Sequence, residues 1–461
     1  MERRLPSGAP MLAWTGRGSV SAPPRTLGLD AAAALVVGEI VGVGIFLTPA
    51  EMTRALGSPF WVLLVWLAVG ATAFCGALSY GELAARFPEA GGGYVYLREA
   101  WGPGLAFLYG WKSLLVMDPG LTAALAAGFG HYAGSLVPLD PLEEKLVAMA
   151  LILSLAICSA LGVRLGGNVV RGLAFAKLLL LGTIIVWGFG SSRGAWVHFT
   201  PFVTPRPGSA SLVAGLASGL IGAFFSFGGF WDVAKIGGEI RDPAHTLPRA
   251  LALGVGITTI VYIMTNAAFI HLVPIEAAGS GPAFAAQAGE ALFGASGGRV
   301  FAGIVLVAIA GSLAAVLMTA PRVYYAMAKD GLFPAAVGRL HPRFGTPVRA
   351  ICVQALLGCV AVGLATFEAI LAYFICITVV FVALTVAGLY RLPRPEGNAF
   401  RVPGYPVTPL LFLLLLVTII GLFFAGRPLE SALGTAVVAL GYPVYRFVAS
   451  PRRMRPQEEA S

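Results

Sequence analysis

Two stretches combine residue types that a membrane-spanning helix ordinarily avoids. Val37–Phe46 reads VGEIVGVGIF, with a carboxylate and three glycines inside an apolar run. Phe224–Pro243 reads FFSFGGFWDVAKIGGEIRDP and again mixes paired glycines with charges. Glycine weakens a helix, and a charge in hydrocarbon is costly. Both faults are explained together if each helix is interrupted there. An interruption frees backbone N–H groups where the second half-helix starts and C=O groups where the first ends. The N–H groups of Val43, Gly44 and Ile45 would attract an anion, aided by the helix dipole. The carbonyls near Ile40 and Phe225 would attract a cation. A site that holds a carboxylate and an ammonium close together suits an α-amino acid. Gly42, Gly44 and Gly228 would let such a ligand approach the backbone. The competing explanation is helix packing through small residues, since Gly38 and Gly42 are four apart.

The elements that must carry these stretches follow from composition. Of 461 residues 57% are hydrophobic and 11% charged, against about a quarter charged in soluble domains. Mean hydropathy is +0.83. The chain is therefore an all-α polytopic membrane protein. Apolar runs predict about twelve spans: 28–50, 59–86, 99–134, 144–163, 168–190, 212–237, 248–273, 296–327, 348–364, 367–390, 406–426 and 430–449. The net charge of +9 does not form a nucleic-acid patch. Of the 31 Lys and Arg, 22 fall on the side of the bilayer shared by both termini and 6 on the other. That asymmetry predicts cytosolic termini in a plasma or inner membrane.

The interrupted runs are the first and sixth spans. Interruptions at matching positions of two halves predict inverted repeats with a site near the bilayer midplane. The expected organisation is a disordered cytosolic tail (1–27), a first repeat (28–190), a second repeat (212–391), two added spans (405–449) and a cytosolic tail (450–461). The five cysteines, Cys75, Cys158, Cys352, Cys359 and Cys376, lie in apolar runs without metal-ligand spacing. No metal, cofactor or disulfide is expected. No G-x-x-x-x-G-K-[ST] motif is present, so the chain does not draw on ATP directly. A polytopic enzyme would need a polar catalytic cluster, and none is legible.

With these residues in place, a family resemblance emerges. GEIVGVGIF followed by TPAE resembles the first-span signature of the amino acid–polyamine–organocation superfamily. The likeness continues through SYGELAARFPEAGGGYVYLREAWGP (Ser79–Pro103), EIRDPAHTLPRA (Glu239–Ala250) and PRVYYAMAKDGLFPAAVGRLHPRFGTPVRAI (Pro321–Ile351). It covers most of 28–391 and is nearest to the L-type amino acid transporter branch and its bacterial relatives. The resemblance implies a LeuT-like 5+5 inverted repeat and transport of amino acids by alternating access. It assigns Ile40, Val43 and Gly44 to substrate contact, Phe225 to an aromatic lid, and Gly228 to a backbone contact. Val43 stands where a Ser is usual, and Glu39 where a small polar residue is usual. Lys177 resembles a fifth-span lysine whose ammonium takes the place of sodium in sodium-coupled relatives. That implies sodium-independent transport, unless Lys177 only snorkels to an interface.

Other ionisable residues leave alternatives open. Glu39 either pairs with Lys112, attracts a basic amino acid or polyamine, or carries a coupled proton. Asp118 reads either as an outer-end residue near the headgroups or, like Glu39, as a carboxylate that a basic cargo would use. Asp232 and Lys235, three apart, read as a local structural pair. Glu82 and Glu239, with Arg86, Arg241, Arg322 and Arg349, form either an inner gate or plain surface charge. Trp231 either lines the pocket or simply packs. The partners expected are a small amino acid substrate and the lipid bilayer. Many L-type relatives join a glycoprotein through a disulfide. Ser135–Lys145, where that link would lie, has no cysteine, so no such partner is expected. A sensor that kept the fold but lost transport is the alternative from another class.

Overall fold

A computed structural model describes residues 23–279, 284–364, 367–394 and 399–448. The chain runs through α1 (Leu29–Ile40), α2 (Gly44–Leu56), α3 (Pro59–Arg86), α4 (Gly93–Trp101), α5 (Pro103–Lys112) and a π-turn (Ser113–Met117) that continues into α6 (Asp118–Gly134). Next come α7 (Pro141–Ala160), α8 (Val163–Gly190), α9 (Leu212–Phe227), α10 (Pro243–Leu272), α11 (Phe284–Phe293), α12 (Gly297–Thr319) and α13 (Pro321–Lys329). The last four are α14 (Val348–Leu364), α15 (Phe367–Ala387), α16 (Val407–Gly426) and α17 (Pro428–Val448). Among the described residues, eight helical stretches are long and apolar enough to cross a bilayer, and the α1–α2 pair, bent by 43°, makes a ninth. The three other expected spans correspond to α7, whose first turns hold Glu143, Glu144 and Lys145, and to α14 and α15. The protein is thus a helical, multi-pass membrane protein.

Local chemistry sets several boundaries. Ser58 accepts a hydrogen bond from the Trp61 N–H, and Pro59 opens α3 at a position that has no use for an N–H. Asp140 and Glu143 form a reciprocal cap on α7. The third span, expected from 99, starts instead at Pro103, because Gly102 takes φ +93° and separates α4 from α5. The sixth span breaks within its expected bounds. Gly229 has φ +106°, and the chain beyond it continues as 3₁₀ turns at Phe230–Lys235 and Gly237–Glu239.

The expected N-terminal tail is too long as drawn. Residues 1–22 and 449–461 lie outside the described residues, but Leu27 pairs with Ile240. The N–H groups of Thr26 and Leu27 both point to the Glu239 carbonyl, at 2.9 and 3.1 Å, and Arg241 N–H returns to Leu27 O at 2.8 Å. Backbone bonding therefore captures the chain just before α1.

Beside this strap, Arg322 grips Glu239 through Nε–Oε1 at 2.8 Å and Nη2–Oε2 at 3.1 Å, with both side chains 1% exposed. Nearby, Arg98 meets Asp330 at 2.7 Å, and Tyr94 donates to the same carboxylate at 2.8 Å. A two-bonded Arg–carboxylate pair is geometrically demanding, and breaking it strands a buried charge. Arg322→Leu should therefore destabilise the fold by ~3–5 kcal/mol. Removing both charges in Arg322→Leu/Glu239→Leu should restore part of that loss, read as the melting temperature in detergent. Equal losses in the single and double variants would show that the pair carries no such energy.

Candidate functional site

The two interruptions lie side by side. In the first, α1 ends at Ile40 and α2 starts at Gly44, leaving Val41–Val43 non-helical. No side chain caps the start of α2; Val43 O accepts the Phe46 and Leu47 N–H groups at 3.1 and 3.2 Å, and the N–H groups of Gly44 and Ile45 are left without an intrahelical acceptor. In the second, α9 ends at Phe227, with Gly228 extended at φ −58°, ψ 149°. A Cβ on Gly44 would sit 2.7 Å from Ser226 Oγ and 2.8 Å from Ser226 Cα. Only a glycine there lets α2 and α9 touch this closely. A Cβ on Gly229 would meet Glu39 Cβ at 3.2 Å, on top of its left-handed φ.

The freed carbonyls have dedicated partners. Lys177, on α8, is 2% exposed and does not reach an interface. Its Nζ donates to Gly38 O at 3.0 Å, Val41 O at 2.6 Å and Ser312 Oγ at 2.9 Å. Ser312, on α12, also lies 3.0 Å from Gly38 O. Tyr262, on α10, places its hydroxyl 2.9 Å from Ile40 O and 3.1 Å from Ser226 O. One hydroxyl thereby spans the ends of both first half-helices. No local pattern marks this role for Tyr262 or Ser312, because their partners are backbone atoms far away in the chain.

This changes the expectation about free carbonyls. Ile40 O already receives Gly42 N–H at 2.8 Å as well as Tyr262, so both its lone pairs are used. Phe225 O receives Gly228 N–H at 3.2 Å and keeps one. The N–H end of the cradle stays open, while the carbonyl end is largely engaged within the protein.

Glu39, Ile40, Val43, Gly44, Phe225 and Gly228 line one cavity of about 110 Å³. Ile45 is fully buried beside it but is not on its wall. Residues singled out less firmly or not at all complete the lining. Met117, Leu121 and Leu125 come from one continuous span, Phe224 and Trp231 flank the second break, and Ser312 and Val316 lie on α12. Phe225 is half-buried on the cavity wall. Trp231 does line the cavity, stacked on Phe224 with centroids 6.2 Å apart. Its indole N–H is buried without a protein acceptor.

The buried charges do not pair as the sequence suggested. Among the described residues no ion pair joins Glu39 to Lys112. Glu39 Oε1 accepts from Thr319 at 2.8 Å, a residue outside the cavity lining. Lys112 Nζ sits over the Tyr109 ring at 4.6 Å and against Met117 Sδ at 2.7 Å. Asp118 is not at an outer end. It is 1% exposed, lies 3.5 Å from Lys235 Nζ and accepts from Tyr324 at 3.0 Å. The π-turn just before it shifts the helix register, an irregularity common at functional sites. Asp232 and Lys235 do pair, at 3.1 Å. Glu82 lies apart from the Glu239 group. It bonds Arg86 at 3.5 Å on its own helix and accepts Val402 N–H at 2.7 Å. Arg241 is exposed and Arg349 bonds Ala336 O, so neither joins the Glu239–Arg322 pair.

Comparison with known proteins fits this geometry. Residues 27–442 match the amino acid permease family. The chain is 29% identical to the serine/threonine exchanger SteT of Bacillus subtilis, over 91% of this chain and 96% of that one. It is 28% identical to the human large neutral amino acids transporter small subunit 2, over 94% of this chain and 82% of that one. It is 27% identical to the cystine/glutamate transporter of Pongo abelii, over 89% and 82% of the two chains. These relatives are transporters and not enzymes, and the match spans both broken helices and the cavity between them: the chain belongs to the amino acid permease family.

Proposed function

We propose that this protein is a sodium-independent exchanger of neutral amino acids that works by alternating access between inverted repeats at 28–190 and 212–391. The observation that carries the proposal is the cavity at the two helix breaks, with an open N–H end beside balanced charges. The cargo carboxylate meets the N–H groups around Val43 and Gly44, and Phe225 closes over it. The ammonium lies toward Phe225 O and the acidic side of the cavity. The Trp231 indole N–H offers one more donor. Three carboxylates, Glu39, Asp118 and Asp232, and three ammonium groups, Lys112, Lys177 and Lys235, are buried around the site, so a cargo of zero net charge keeps the balance. That favours neutral over basic amino acids or polyamines. It also makes Glu39 a supporting residue tied to Thr319 rather than a coupled-proton carrier.

Sodium independence rests on Lys177. Three oxygens converge on its Nζ, a set that would otherwise suit a hard monovalent cation. The ammonium fills that place permanently. Serine and threonine are exchanged by the Bacillus subtilis relative and large neutral amino acids are carried by the human one, as their names state. A cavity of about 110 Å³ is smaller than the ~150 Å³ that admits benzene, which favours a small side chain. The Glu239–Arg322 pair and the Leu27 strap, on the side that charge asymmetry assigns to the cytosol, act as the inner gate. The protein resides in the plasma or inner membrane with both termini cytosolic and works without a disulfide-linked glycoprotein.

Purified protein in liposomes should take up labelled serine, threonine or alanine without sodium, and only when an amino acid is present inside. Uptake of arginine or a polyamine that is lost in Glu39→Gln would overturn the neutral-cargo reading. Sodium dependence would overturn the role of Lys177. A folded protein that moves nothing would favour the sensor. Glu39→Gln should keep neutral uptake, because an amide oxygen still accepts from Thr319. Gly44→Ala should destabilise the fold by ~1–3 kcal/mol, the usual cost of overpacking, because its Cβ would press on Ser226, and the melting temperature in detergent would reveal it.

A further inference from the structure

Asp232 lines the cavity, yet the cavity wall does not include Lys235. Lys235 approaches from behind, with Nζ 3.1 Å from Asp232 Oδ1 and 3.5 Å from Asp118 Oδ1. All three side chains are at most 3% exposed. The Lys235 backbone is fixed from the opposite side. Gly91 N–H donates to Lys235 O at 2.8 Å, and a Cβ on Gly92 would come within 2.7 Å of Lys235 N. Asp118 is held by the Tyr324 hydroxyl, which is itself 2.6 Å from Gln354 Oε1. The lysine is therefore aimed inward, between one carboxylate on the cavity wall and another on α6.

A carboxylate facing a low-dielectric cavity would by itself draw in a cationic side chain. Here that position is already taken by a cation the protein supplies. We propose that Lys235 is a specificity-determining residue: a tethered ammonium that neutralises Asp232 and so excludes cargo with a basic side chain. The inference rests on the amino acid transport reading above and assigns its charge selectivity to one residue. Asp118 holds the tether on the far side, so that Lys235 stays buried and does not enter the cavity itself.

The test is the double variant Asp118→Asn/Lys235→Met. It keeps the cluster's formal charge at minus one and leaves Tyr324 an acceptor, but gives Asp232 no cation. Binding and uptake of labelled lysine and labelled alanine are measured in liposomes for the wild type, the double variant, and the triple variant that adds Asp232→Asn. The wild type should take alanine and refuse lysine. The double variant should gain lysine affinity by about tenfold or more, in line with the coupling of close charge pairs, and the triple variant should lose that gain. If the double variant does not fold, Lys235→Gln keeps a donor toward both carboxylates and should show the same gain. A folded variant that binds alanine but gains no lysine overturns the proposal, as does a wild type that takes lysine. A wild type that binds neither overturns the transport reading and this inference with it.

Discussion

A helix interrupted inside hydrocarbon leaves backbone polar groups that no water can satisfy, and the rest of this structure is arranged around that demand. The break after Ile40 exposes the carbonyls of Gly38, Ile40 and Val41. Lys177, Ser312 and Tyr262 reach them from three other helices. The same Tyr262 hydroxyl also lies by Ser226 O at the end of α9. The result is a set of cross-links that locates both breaks relative to α8, α10 and α12. With the carbonyl ends tied down, the N–H end of α2 is the side left open to a ligand. The polarity of the site is thus a consequence of which orphan groups the protein satisfies for itself.

The same economy governs charge. Among the described residues ten Asp, Glu, Lys and Arg side chains are buried, five of each sign. A lone ion in such a place costs several kcal/mol, so partners are expected. The partners found are varied. Lys177 is held by backbone oxygens, Lys235 by two carboxylates, and Lys112 by an aromatic face and a thioether sulfur. Glu39 relies on a hydroxyl. Only some of these arrangements fix a charge in direct view of the cavity, and that division separates residues that support the breaks from residues that shape selectivity.

At one end of the bundle, the backbone strap at Leu27 and the buried Glu239–Arg322 pair join segments before α1, after the second break and at α13. In the gate proposed above, these are the contacts that would part when that end opens. A few short, directional contacts of this kind give two discrete arrangements instead of a continuum.

Sequence alone was enough for the class of fold, the positions of both breaks and the part of the cavity wall that the breaks themselves supply. These depend on local signals: long apolar runs, glycines that weaken a helix, and charges that hydrocarbon does not tolerate. Val43, Gly44, Phe225 and Gly228 were legible for that reason. The pairing of the buried ions was decided only by tertiary structure. Glu39 and Lys112 looked like partners because both are charged and buried, yet helix rotation sends one to Thr319 and the other to Tyr109. Asp118 looked terminal by its place before Pro119, and the π-turn carries it into the core beside Lys235. Tyr262 and Ser312 carried no sequence signal, since a hydroxyl that bonds a distant carbonyl has no spacing to read. Local pattern fixes where a chain must break, but the partners of the broken ends depend on helix rotation and register, which only packing sets.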